Sequence, residues 1–367
     1  MKTATITFHA SHNYGSMLQA FALQQSIKKL GHENVIINLR TERQKKYYPR
    51  PSLVFPKSIK QAIKQLLTLP YYKDLQKKYD LFEEFLSREL TLTKEFATKE
   101  EIEQADLQYD CFIAGGDQLW NTKPIDFDWS FYLPFTDKKK ISYSASMGPH
   151  AEQQVSNRAL IKDYLSKFAH IAVREEGTKK IVDDLTGKSA NITIDPALLF
   201  NKTEWAKLIA KNPIVTEDYI LVYTPFHNKD VYDLATSIGK KLKYPVYTTN
   251  HILNHKPHYW NLKYQLASGP WEFLNMLSNA KLVICGSFHA VVFSALFERP
   301  FFAVNGEKDN RMKTFLEKTN LMHRTISKEN IDKRISSAFD CDFSQSTILL
   351  NNEREVGLEY LKNAIEK

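Results

Sequence analysis

Cysteine is scarce in this sequence. Its three residues, Cys111, Cys285 and Cys341, lie too far apart for a CxxC metal spacing or a paired disulfide framework, so a reduced, cytoplasmic setting is expected. Glycine (12) and proline (14) are few among 367 residues, which excludes collagen-like and low-complexity classes. Long apolar runs are missing too. The longest, Leu282 to Phe297, is 16 residues broken by Gly286, Ser287, His289 and Ser294, too short and too polar to span a bilayer. The N-terminus alternates polar and apolar residues from Lys2 to Phe8, where a signal peptide would carry a continuous apolar core. No internal repeat stands out.

What is present is an ordinary globular composition, 43% hydrophobic and 25% charged, at a length suited to about two domains. The net charge of +8 is concentrated: residues 40–78 hold eleven Lys or Arg against Glu42 and Asp74, a local balance of +9. Tyr47, Tyr48, Phe55, Leu66, Leu67, Tyr71 and Tyr72 are interleaved with that charge. Solvated helix faces and an anionic membrane surface both accommodate such a segment. Nucleic acid is not expected as a partner, because no recognition motif accompanies the charge.

Thr3–Phe8 alternates at period two, a polar turn follows, and Leu18, Phe21, Ala22 and Gln25 recur at helical spacing up to the stop at Gly31. With the apolar run Val35–Leu39 this makes a β-turn-α-β opening, the unit of a parallel sheet. Strands ending in tight turns recur at Tyr109–Ala114, Ile141–Met147 and His170–Arg174. After a joint near Asn212-Pro213 the alternation restarts at Tyr219–Tyr223 and continues through Val246–Thr249, Lys281–Cys285 and Phe301–Val304. The expectation is an α/β protein of two Rossmann-like domains with parallel sheets facing a central cleft. The first domain spans 1–205 with a basic helical insertion at about 40–105, the second spans 206–345, and a terminal helix covers 346–367.

Several turns carry chemistry. In Cys285-Gly-Ser-Phe-His289 a strand ends, Gly286 turns, Ser287 is placed to cap a helix, and His289 falls in its first turn. Free amides and the positive dipole end attract phosphate or carboxylate there, although a backbone-satisfied core histidine fits the same spacing. Arg174 ends another strand and presents a planar fork for an anion, or pairs with its neighbours Glu175 and Glu176. Lys308 and Arg311 follow a later strand, where a solvated loop is the plainer reading. The turns around Asn13, Tyr14 and Gly15 and around Gly116, Asp117, Gln118, Trp120 and Asn121 mix hydrogen-bonding groups with aromatics, as sugars require. His9 and His12 have no third ligand at a suitable spacing, so no metal is expected.

In their joint order, Asn13-Tyr-Gly-Ser-Met-Leu-Gln-Ala20, Gly115-Gly-Asp-Gln-Leu-Trp-Asn121, Ile141-Ser-Tyr-Ser-Ala-Ser-Met-Gly148, Val173-Arg-Glu175, Asp195-Pro-Ala-Leu-Leu199 and Ser287-Phe-His289 resemble the polysaccharide pyruvyl transferase family over nearly the whole chain. The resemblance implies a fold similar to the GT-B glycosyltransferases. It implies transfer of the pyruvyl group of phosphoenolpyruvate to a sugar as a ketal, releasing phosphate, with no cofactor beyond that donor. The acceptor would belong to a polysaccharide such as a bacterial capsule or exopolysaccharide, or to its lipid-diphosphate precursor at the inner face of the membrane. It implies His289 and Arg174 as catalytic residues, Ser287, Lys308 and Arg311 beside them at the donor, and the first-domain turns at the acceptor. Gly286 and Ala290 stand where relatives often carry Asp and Gly. A nucleotide-sugar glycosyltransferase on the same architecture is the first alternative. The Glu pair eight residues apart that such enzymes often use is absent, since Ala280 follows Glu272 and Gly306 follows Glu298 at that spacing. A non-catalytic sugar-binding protein is the second.

Overall fold

The computed structural model describes residues 1–53, 58–150, 157–252, 259 and 261–367. Phe55, one of the aromatics of the basic segment, lies outside them. The described strands are β1 (Lys2–Ile6), β2 (Glu33–Leu39), β3 (Leu92–Phe96), β4 (Cys111–Gly115), β5 (Lys139–Tyr143), β6 (Ala172–Val173), β7 (Asn191–Ile192), β8 (Ile220–Tyr223), β9 (Val246–Thr248), β10 (Leu262–Tyr264), β11 (Leu282–Cys285), β12 (Phe301–Val304) and β13 (Thr325–Ile326).

They build two parallel sheets. The first runs β3-β2-β1-β4-β5, and isolated bridges from Ile141 to His170 and from Ala145 to Val173 carry the β6-β7 pair on its β5 edge. The second runs β10-β9-β8-β11-β12-β13, the doubly wound strand order in which direction reverses beside the first strand. Each sheet therefore opens a crevice where its two central strands end: β1 and β4 in one lobe, β8 and β11 in the other. Buried on both faces, β4, β8 and β11 are nearly continuous apolar runs, such as Leu282-Val-Ile-Cys285, whereas β1 alternates threonine with Ala4 and Ile6.

The basic insertion is helical at Glu42–Tyr47, Ile59–Thr68, Tyr72–Glu89 and Lys99–Gln104, but it also contributes β3. Leu92-Thr-Lys-Glu-Phe96 is a half-exposed edge strand with only Phe96 buried, too weakly patterned to stand out as a strand. The terminal helix, Ser344–Glu366, does not stay with the second lobe. Leu361, Ala364 and Ile365 pack against Leu23, Ile27, Cys111 and Ile141 of the first, and the Arg354 Nε donates to the Leu198 carbonyl at 2.7 Å.

Helix Tyr14–Lys29 joins the lobes. Asn13 caps it, accepting from the Gly15 amide at 3.0 Å. Tyr14 stacks on Phe273 of the second lobe at 4.4 Å between centroids and 1° between planes, and its hydroxyl donates to the Ser268 carbonyl at 3.0 Å. Phe21 meets Trp271 at 5.4 Å. Each such aromatic pair adds about 0.5–1.5 kcal/mol beyond area burial. One apolar cluster runs through both lobes, so their relative placement is packed rather than loosely hinged.

A second tie is polar. Lys78, on helix Tyr72–Glu89, donates to the Thr249 carbonyl at 2.8 Å and to Asn250 Oδ1 at 3.1 Å. Burial pulls its pKa down to about 7. The unfolded chain, with an ordinary lysine near 10.4, then binds the extra proton between these values, so the folded state gains from this site as pH rises through that window. Denaturant unfolding of wild type and Lys78→Met from pH 6 to 10 is expected to show wild type gaining on the variant with pH. A constant difference would mean that Lys78 is already charged in the fold.

Candidate active site

The two crevices meet in one cavity of about 530 Å³. The first lobe contributes Phe8, Ser11, Asn13 and Ser16 after β1, and Asp117 and Gln118 after β4. The second contributes Thr224 to Lys229 after β8, Gly286 to His289 after β11, and Arg311. Tyr48 from the insertion and Asp126 complete one wall.

At the junction lies a buried charge cluster. Asp195, at the head of the 3-10 turn Pro196–Leu199, uses Oδ1 to accept from the Ala197 amide at 3.0 Å. Its Oδ2 accepts from Arg174 Nη1 at 2.9 Å and lies 3.3 Å from His289 Nε2. Burial alone would raise this carboxyl; His289 and Arg174 overcome that and hold it at about 2. The imidazole thus meets the carboxylate through Nε2 without a hydrogen bond, and its Cγ–Nδ1 edge lies against the first lobe. A Cβ at Gly15 would run into the His289 ring, so the glycine permits the start of one lobe's helix to abut the other lobe's histidine.

Arg174 is 4% exposed, absent from the cavity lining, and lies 4.4 Å from the Phe288 ring centroid. It is a buttress behind the wall rather than a group facing the opening. Glu175, fully buried beside it, accepts from Ser146 at 2.7 Å and from Thr178, and burial raises its pKa despite the guanidinium. Besides Lys229, the cavity is lined by the guanidinium-bearing Arg311. Asp309 receives its Nε at 3.0 Å and its Nη2 at 2.6 Å; burial disfavours its charge, but Asp309 more than compensates and raises its pKa. Lys308, expected at the donor, is exposed and outside the lining. It ends a 3-10 turn whose start, Asn305, adopts φ +51°, and that turn carries it away from the cavity.

Ser287 stands at the start of helix Phe288–Leu296 in extended conformation, yet its hydroxyl makes no capping bond, and Ser287, Phe288 and His289 line the cavity. Gly286 is sterically required, because a Cβ there would lie 2.7 Å from Val231 and 2.8 Å from Thr224. Ala290 is fully buried in the apolar core, away from the cavity.

The expected acceptor residues divide. Asn13, Asp117 and Gln118 line the cavity. Gly116, at φ +67°, packs against Gln19 and makes the turn possible. Asn121 stands behind, donating to Gln118 Oε1 at 3.0 Å. Tyr14 and Trp120 belong to the core: Trp120 is 1% exposed, stacked on Tyr132, with Nε1 donating to the Phe131 carbonyl at 3.3 Å.

Asp195, Asp126, Ser11, Ser16 and the loop after β8 received no role from the sequence. The loop had a usable signal, since it follows the second lobe's first strand as Phe8–Asn13 follows β1. Asp195 lies within the Asp195-Pro-Ala-Leu-Leu199 segment, but its partners are 21 and 94 residues away.

The sequence matches the polysaccharide pyruvyl transferase family over residues 13–307, and the chain belongs to that family of transferases. No curated protein matches it significantly. Among solved structures, UDP-N-acetylglucosamine 2-epimerase from Rickettsia bellii is similar at TM-score 0.62 and 10% identity, covering 100% of this chain and 96% of its own. The UDP-GlcNAc 2-epimerase from Neisseria meningitidis, solved with UDP-GlcNAc, gives 0.58 at 11% identity, covering 98% and 99%. Spinosyn forosaminyltransferase gives 0.51 at 9%, covering 100% of both. These likenesses establish a shared two-domain, GT-B-type fold.

Asp195→Asn takes from buried Arg174 its nearest carboxylate, at 2.9 Å against 3.5 Å for Glu175 and 3.9 Å for Asp117, and denaturant unfolding is expected to show a loss of about 3–5 kcal/mol. A loss below about 1 kcal/mol would show that Glu175 and Asp117 neutralise Arg174 unaided.

Proposed function

We propose that this pyruvyl transferase takes its pyruvyl group from phosphoenolpyruvate and places it as a cyclic ketal on two hydroxyls of a sugar residue, releasing phosphate. The observation that carries this reading is the ionisable imidazole of His289, backed by Asp195, at the edge of a cavity that also holds Arg311 and an uncapped helix start. A dianionic donor needs that set of groups: a guanidinium fork, free amides and a proton source.

In this scheme His289 delivers a proton to the methylene carbon of the donor, which becomes the methyl group. The adjacent carbon turns electrophilic and is attacked by one sugar hydroxyl. The carbon–oxygen bond to phosphate then breaks, and the second hydroxyl closes the ring. Of the two hydroxyl protons released, one replaces that given by His289 and the other leaves with phosphate. Arg311 and the amides following Ser287 hold the anionic groups, while Arg174 acts as a positioning residue through Asp195.

The acceptor lies toward the wall formed by Phe8, Tyr48 and Asp126. Asp126 Oδ2 accepts from Ser11 at 2.8 Å and Tyr48 at 3.3 Å, and burial raises its pKa. A half-desolvated carboxylate beside aromatic rings suits sugar hydroxyls and the apolar sugar face.

Phosphate release from phosphoenolpyruvate, measured against a panel of glycans and with nucleotide sugars as the competing donors, tests the reading. His289→Ala is expected to slow release by about 10²–10⁴-fold, whereas Asp126→Asn should raise the acceptor KM with little change in donor affinity. Turnover of nucleotide sugars alone, or full activity of His289→Ala, would refute it.

A further inference from the structure

Helix Ile59–Thr68 is built to face something outside the chain. None of its ten residues is buried, although Ile59, Ile63 and Leu66 fall on one side at helical spacing. These three are 82%, 51% and 70% exposed, and Leu69 continues the row at the next turn, half exposed. An isolated helix of this length is marginal in water, and most surface helices gain stability by burying their apolar face. Here that face has no partner within the described residues, while the polar start is properly made: Ser58 accepts from the Gln61 amide at 3.2 Å.

The surrounding charge selects the partner. Lys60 and Lys64 border the apolar arc on one side, and Lys73 and Lys77 follow on the next helix. None of the four forms an ion pair among the described residues, in contrast to Arg40, Lys45 and Arg50, which are held by Glu83, Glu95 and Asp80. A second copy would bring the same lysines face to face and repel. An anionic lipid surface satisfies both features: acyl chains receive the isoleucines and leucine, and lysines reach the headgroups from the interface. The helix is also held in place. Its exit turn packs Tyr71 on His251 at 4.6 Å and on Tyr264 at 5.3 Å, and Tyr72 and Gln76 both donate to the Pro51 carbonyl, at 3.2 and 3.3 Å. The helix that follows then ties to both lobes, Lys78 to the Thr249 carbonyl and Glu83 to His12.

We infer that helix Ile59–Thr68 docks this enzyme, by Ile59, Ile63 and Leu66 with Lys60 and Lys64, onto a negatively charged lipid bilayer. This inference does not depend on the identity of the donor. Co-sedimentation of the full chain with phosphatidylcholine vesicles, with and without phosphatidylglycerol, tests it. Wild type should pellet with the mixed vesicles and stay in the supernatant with phosphatidylcholine alone. Lys60→Gln with Lys64→Gln should lower the partition coefficient by roughly tenfold or more, and added salt should do the same. Ile63→Asp with Leu66→Asp should abolish binding even at low salt, while both variants keep wild-type melting temperatures because no core contact is removed. Failure of wild type to pellet would overturn the assignment, as would binding unaffected by the substitutions. Concentration-dependent dimerisation lost in Ile63→Asp with Leu66→Asp, without lipid binding, would give the face to a second copy instead.

Discussion

A carboxylate shut away from water must be answered by positive charge or become neutral. Asp195 is answered by Arg174 from its own lobe at 2.9 Å and lies 3.3 Å from His289 Nε2 of the opposite lobe. This carboxylate, shared between the lobes, makes the cleft a site rather than a gap. It fixes the imidazole at the end of β11, and it requires the two lobes to sit close enough for the helix beginning at Tyr14 to touch the ring. Gly15 records the closeness of that approach. The apolar seam of Tyr14, Phe273, Phe21 and Trp271 holds the lobes in place so that the ionic contact can persist.

The two doubly wound sheets explain why chemistry collects there. Each opens at the ends of its central strands, and packing the lobes face to face superimposes the openings. Residues from four short loops thus converge without any one segment carrying a complete motif. The departures at Gly286 and Ala290 are explained by packing. Thr224 and Val231 leave no space for a side chain at 286, and Ala290 turns into the core.

Much of the fold was legible because alternation and helical spacing report burial directly. Both central strands of each sheet, the body of the first helix and the helix after Ser287 could be traced, with ends displaced by one to a few residues. The short edge strands β3, β10 and β13 could not, since two to five residues, half-exposed in β3 and β10, carry too little pattern. The site was legible in kind but not in placement. His289, Ser287, Asn13, Asp117, Gln118 and Arg311 line the cavity, while Arg174 stands behind it. Lys308 and Arg311 are three residues apart in a charged loop, and only the left-handed turn at Asn305 decides which of them faces inward. Tyr14 and Trp120 sit in sugar-like motifs, yet an aromatic ring serves a core equally well. Asp195 escaped notice because a carboxylate acquires its role from partners distant in sequence.

The most direct test of the central claim is a double-mutant cycle on pyruvyl transfer, pairing Asp195→Asn with His289→Ala and scoring only protein confirmed as folded. If Asp195 acts through the imidazole, the double variant turns over no more slowly than His289→Ala alone. Independent, multiplicative losses from the two substitutions would contradict the account, because the carboxylate would then act on the reaction by a route that does not pass through His289.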